Sequence, residues 1–147
     1  ELCAPGGSPA WTEVAADHHL RVVRVLDAPE FPAFYRVIWR DHVAELSDLS
    51  DPDRAHCLDT VVAVERALRD ALAPTKINLA ALGNMVPHLH WHVIARFDWD
   101  SHFPQPIWGA RQRTPEPPAA ERLRQPVTML DRSVGQAVRA AWLASGA

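Results

Sequence analysis

Apolar positions recur along this chain at two periods, and the change of period marks its elements. Residues 20–26 (Leu-Arg-Val-Val-Arg-Val-Leu) are rich in β-branched side chains and stop at Asp27-Ala28-Pro29, which predicts a strand and a turn. Residues 34–39 (Phe-Tyr-Arg-Val-Ile-Trp) predict a second strand, antiparallel to the first. Ser50-Asp51-Pro52-Asp53 then carries three helix-start signals: a capping serine, a proline in the first turn, and an aspartate facing the helix dipole. From there to about Ala73 the apolar residues Cys57, Val61, Val64 and Leu68 fall at helical spacing, and Pro74 ends the run. Residues 77–82 predict a third strand, Gly83-Asn84 a turn, and a further strand runs to about Phe97. Residues 98–118 are rich in proline and aromatics and lack periodicity, which predicts a long loop of the kind that covers something or serves function. A short helix over 118–125 follows, then one starting at Pro126 or Thr128 with Leu130, Val134, Val138 and Leu143 as its buried stripe. The expected organisation is a flexible leader over residues 1–17 and a single domain over 18–147, with C-terminal helices over 119–145.

Within the last predicted strand, Pro87-His88-Leu89-His90-Trp91-His92-Val93-Ile94 alternates histidine with large apolar residues. Successive strand side chains point to opposite faces, so His88, His90 and His92 share one face, spaced about 6–7 Å apart. Leu89, Trp91, Val93, Ala95 and Phe97 form the other face, apolar enough to pack on a core. Three readings compete: nucleophilic or acid–base chemistry on a bound substrate, a metal site, and a solvated face that happens to carry histidine. The metal reading has a geometric weakness. Alternate residues of one strand project in parallel and supply two ligands comfortably, but a third only with distortion. Further ligands would have to come from Asp98, Asp100 or His102.

Composition narrows the partners. Fifteen Lys and Arg against eighteen Asp and Glu leave a net charge of -3, which makes no phosphate-coating polycation, so polymeric nucleic acid is not an expected partner. A nucleotide-sized anion needs only local donors and stays open. No apolar run approaches the ~20 residues of a membrane span, and the opening Glu1-Leu2-Cys3-Ala4-Pro5 has neither the basic nor the apolar region of a secretory signal. No membrane association and a cytoplasmic location are therefore expected. Cys3 and Cys57 lie far apart, with no ligand-like spacing, and read as reduced structural thiols.

The run His88-Leu89-His90-Trp91-His92-Val93-Ile94 resembles the signature of the histidine triad (HIT) family. Lys76-Ile77-Asn78-Leu79 is similar to the strand that precedes the triad there, and Asn84 sits where many members carry a phosphate-reaching amide. Phe31-Pro32-Ala33-Phe34-Tyr35-Arg36-Val37-Ile38-Trp39 resembles the family's Pro-Gly-His strand, and residues 41–49 the lead into its long helix. The resemblance spans about 20–96 and looks like a bacterial HIT-like hydrolase subgroup. It departs at Ala33 and Phe34, where the family usually has glycine and histidine.

The resemblance implies an α+β fold, an antiparallel sheet crossed by one long helix, with a C-terminal helical extension. It also implies a homodimer, no cofactor and no tightly held metal. His90, the middle histidine, would be the nucleophile that attacks an α-phosphorus and forms a nucleotidyl-histidine. A nearby backbone carbonyl would fix its tautomer. His88 and His92 would donate to phosphate oxygens, Asn84 to the phosphate or leaving group, and Asn78 would hold the nucleotide or the triad. His42 would lie beside the base or ribose. The substrate would be a dinucleoside polyphosphate or an adenosine phosphoramidate. Phe34 argues for the competing class, a nucleotide-binding protein without catalysis, and a metal-dependent hydrolase is a third. Elsewhere, His18-His19 and His56 read as solvated, His102 with Trp108 as packing or a cap on the site, and Arg36 and Arg40 as solvated or supporting the phosphate.

Overall fold

The computed structural model describes residues 8–146. Five strands form one antiparallel sheet in the order β1-β2-β3-β5-β4: β1 Trp11–Ala16, β2 Leu20–Val25, β3 Phe34–Trp39, β4 Lys76–Ala80 and β5 His90–Arg96. The fold class is α+β. Strand alternation sorts the side chains. Tyr35, Val37 and Trp39 of β3, with Val93 and Ala95 of β5, join the core that holds α1 (Asp51–Leu72) and α3 (Val127–Ser145). Phe34, Arg36 and Ile38 pair with Ile94, His92 and His90 on the opposite face, which carries no long helix. Helices on one side leave the other side free to hold a ligand. Among the described residues no helix is long and apolar enough to cross a membrane.

The start signals of α1 act as their chemistry requires. Ser50 Oγ accepts from the Asp53 backbone N–H at 3.3 Å, Pro52 lies in the first turn, and Ala73 turns left-handed at φ 45° before Pro74. The predicted stripe Cys57, Val61, Val64 and Leu68 is buried. Burial raises the Cys57 thiol to about 11, which suits an inert structural cysteine; Cys3 lies outside the described residues.

Three expectations need correction. The segment predicted as leader contains a strand, since Trp11–Ala16 pairs with β2. A bulge between Glu13 and Ala15 interrupts the two-residue period there, so Trp11 and Ala15, four apart, are buried in different clusters, Trp11 with Val23 and Ile38 and Ala15 in the helical core. The first seven residues lie outside the described ones. On α3 (short α2, Ala119–Arg122, precedes it), Leu130, Val134 and Val138 are buried but Leu143 is 82% exposed. Trp142 takes its place because it continues the four-residue step, and its Nε1–H donates to Thr60 Oγ1 on α1 at 2.9 Å. Finally, β5 begins at His90, which leaves His88 just outside the strand.

The loop over 98–118 is organised by one buried ion pair. Arg96 Nε and Nη2 donate to the two Asp100 oxygens at 2.8 and 3.0 Å, and Asp100 also accepts from the backbone N–H groups of Phe97, His102 and Phe103. Burial alone would raise the Asp100 carboxyl, but these donors hold it below its ordinary value. A carboxylate so fully engaged is not free to ligate a metal. The loop it shapes brings Ile107 onto Val25, Phe31, Phe34 and Ile94, and swings Trp108 over His92.

Candidate active site

The three triad histidines do not share one environment. His90 and His92 project from β5 into a cavity of about 400 Å³, lined also by Trp11, Asp27, Arg36, Asn84 and Trp108. His88 is 2% exposed and lies behind it. A carbonyl can only accept, so His88 Nε2–H donates to the carbonyl of Trp39 at 2.5 Å. In the neutral ring this leaves Nδ1 bare, and His42 Nδ1–H donates to it at 3.2 Å. Both ring nitrogens of His88 are engaged away from the cavity. That argues against the expected donation from His88 to a phosphate and makes it a wedge between β3 and the loop before β5.

His90 is held by the same logic. Its Nδ1–H donates to the His88 carbonyl at 2.6 Å, so the lone pair sits on Nε2. Burial lowers the His90 pKa, the hydrogen bond to His88 partly opposes that, and the charge of Arg36 and the His88 ring add to the lowering. The ring is thus neutral, in the tautomer a nucleophile needs. His92 meets His90 edge-on at 4.9 Å, with Phe34 at 5.3 Å and Trp108 at 5.6 Å on its other sides. Burial first, then His90 and Arg36, pushes the His92 pKa down to about 3. His92 Nδ1 is buried without a hydrogen-bond partner. An unmet acceptor is tolerated better than an unmet donor, so the ring proton belongs on Nε2.

Asn84 reaches the cavity because Gly83 turns left-handed at φ 70° directly before it. Two other expected substrate residues lie elsewhere. Asn78 Oδ1 accepts from Arg96 Nη1 at 2.8 Å and so belongs to the network that orders the 98–118 loop. His42 is exposed and touches His88, not the cavity. His56 and His19 are less solvated than expected: His56 Nε2 lies 2.7 Å from Asp17 Oδ2, and His19 stacks on Trp39 at 5.4 Å. His102 packs edge-on against Phe31 at 5.3 Å, and Arg40 is exposed.

Trp11 and Asp27 line the cavity without having been singled out as its walls, and Arg36, read as solvated or supporting the phosphate, lines it as well. Trp11 was hidden by the bulge, and Asp27 read as a turn residue. Arg36 did carry a signal: it shares the alternation face of Phe34 and Ile38, which places it directly across from His92.

Comparison with known proteins agrees with this architecture. Residues 11–99 match the model of the HIT domain. The chain belongs to the HIT family. A HIT protein from Bradyrhizobium japonicum is 28% identical over 90% of each chain, with a TM-score of 0.66. One from Marinobacter aquaeolei VT8 is 22% identical over 90% of this chain and 91% of its own, with a TM-score of 0.69. One from Sinorhizobium meliloti 1021 is 23% identical over 90% of each, with a TM-score of 0.64. The last two bear on the fold alone. No curated protein matches the chain. Membership in the HIT family supports a nucleotide-binding or hydrolase-like role for the chain.

Proposed function

We propose that this protein is a cytoplasmic hydrolase of small nucleotide derivatives that acts at the α-phosphorus through His90. The observation that carries the reading is the bond from His90 Nδ1–H to the His88 carbonyl, because it fixes a bare Nε2 facing the cavity. In the first step Nε2 forms a bond to the α-phosphorus, and the bond to the leaving group breaks with its electron pair. The product is a nucleotidyl-imidazolium whose Nδ1–H still donates to the carbonyl. Water then attacks phosphorus, the P–N bond breaks, His90 regains its lone pair, and the proton of the water passes to solvent. His92 Nε2–H and Asn84 would donate to the phosphate oxygens where charge develops. Asp27 can only accept, which suits the hydroxyl or amino donors of a nucleoside.

The test is turnover of diadenosine tetraphosphate and of an adenosine phosphoramidate by the wild type and by His90→Ala. Wild-type turnover of at least one compound, reduced at least about a thousandfold in the variant, supports the reading. Nucleotide binding without any turnover would support the second reading, a nucleotide-binding protein without catalysis. One observation favours that alternative: Phe34 puts an apolar ring against His92, at the position where the family usually has a histidine.

A further inference from the structure

Arg36 is the one cation among the described residues lining the cavity, and Asp27 is the one anion. An arginine on a bare sheet face normally extends into water. Here Arg36 Nε is buried without a hydrogen-bond partner, and the guanidinium lies 5.4 Å from the Phe34 ring. Arg36 pairs across the strands with His92, and its charge reaches both His92 and His90. No hydrogen bond or ion pair is formed to Asp27. A buried donor left unmet is costly, and fork-shaped guanidinium groups match phosphate oxygens in pairs.

We propose that Arg36 is the phosphate-binding cation of this cavity, and that it sets a preference for ligands carrying two or more phosphates. The inference rests on the reading of the cavity as a nucleotide site. Phe34 leaves no imidazole at its own position, and its ring instead flanks the guanidinium two residues on, so that the fixed positive charge beside His90 comes from arginine. A phosphoramidate brings a single negative charge and an amine that must be protonated to leave. A polyphosphate brings several charges and a leaving group that departs as the anion. With His92 held neutral, the cavity offers a fixed cation and no imidazolium to act as acid, which matches the second chemistry.

The experiment measures binding, so it stands apart from turnover. Adenosine, AMP and ATP are titrated calorimetrically, without divalent metal, into wild type, Arg36→Gln and Arg36→Lys. The wild type should bind ATP about ten- to hundredfold tighter than adenosine. Arg36→Gln should lose that gradient while keeping its adenosine affinity, and Arg36→Lys should keep part of it through its point charge. A folded Arg36→Gln that keeps the full gradient overturns the proposal, as does a wild type that binds ATP no tighter than AMP or no tighter than adenosine. If Arg36→Gln fails to fold, the Arg36 Nε–H resonance of the wild type decides. A shift with ATP and none with adenosine supports the assignment, and no shift under bound ATP overturns it. Should neither test substrate be turned over while the ATP gradient behaves as stated, the hydrolase reading falls and the Arg36 assignment stands.

Discussion

In the proposed mechanism His90 is made a nucleophile by three local facts: a backbone acceptor for its Nδ1–H, burial, and a neighbouring guanidinium. Each favours the neutral ring, and the sign of the pH effect follows. An unburied histidine loses its lone pair as pH falls through 6.5, whereas His90 keeps it to lower pH. The kcat/KM of diadenosine tetraphosphate, whose phosphates stay ionised across this range, should therefore hold down through pH 6.5, with its acid limb below that value. Arg36→Gln should move the limb back toward 6.5. A limb at or above 6.5 in the wild type would mean that His90 is not the titrating group. The alternation of histidines was enough to put His90 and His92 on one face. It could not show that His88, with the same alternation, would turn its ring to the Trp39 carbonyl, because that depends on the chain leaving strand geometry at Leu89.

At the scale of elements, β3, α1 and all but the start of β5 were legible because apolar pattern, caps and breakers agree there. β1 was not, because its bulge removes the two-residue period that announces a strand. The bulge has a use. The Val14 carbonyl turns toward α3, where Arg139 Nη1 donates to it at 3.1 Å. It also comes so close that a Cβ on Gly135 would sit 2.6 Å from that oxygen. Glycine normally weakens a helix by about 1 kcal/mol relative to alanine, so close approach is the reason for it here. Gly135→Ala should accordingly lower Tm by several degrees in spite of its better helix propensity, since overpacking costs about 1–3 kcal/mol. An unchanged or raised Tm would show that α3 can move off β1 without loss. The loop over 98–118 is the other illegible element: its order comes from the Arg96–Asp100 pair and the donors gathered on Asp100, and no local period encodes such a knot.

For the whole molecule, the sheet places its two faces in different service. The helical face is a continuous apolar core; the opposite face carries the cavity, with the 98–118 loop closing one side through Ile107 and Trp108. One sheet edge is β4, where Leu79 is exposed. Such an edge suits the joining of sheets in the homodimer that the family resemblance implies. Sedimentation should report a dimer at micromolar concentration, weakened by Leu79→Glu; a monomeric wild type would contradict it. If His90 carries the nucleotidyl group, quenching the diadenosine tetraphosphate reaction in alkali preserves an adduct that peptide mapping can locate. An AMP group should be found on the peptide that contains His90 and be absent from His90→Ala. Undiminished turnover in that variant, or an adduct on any other residue, would contradict it.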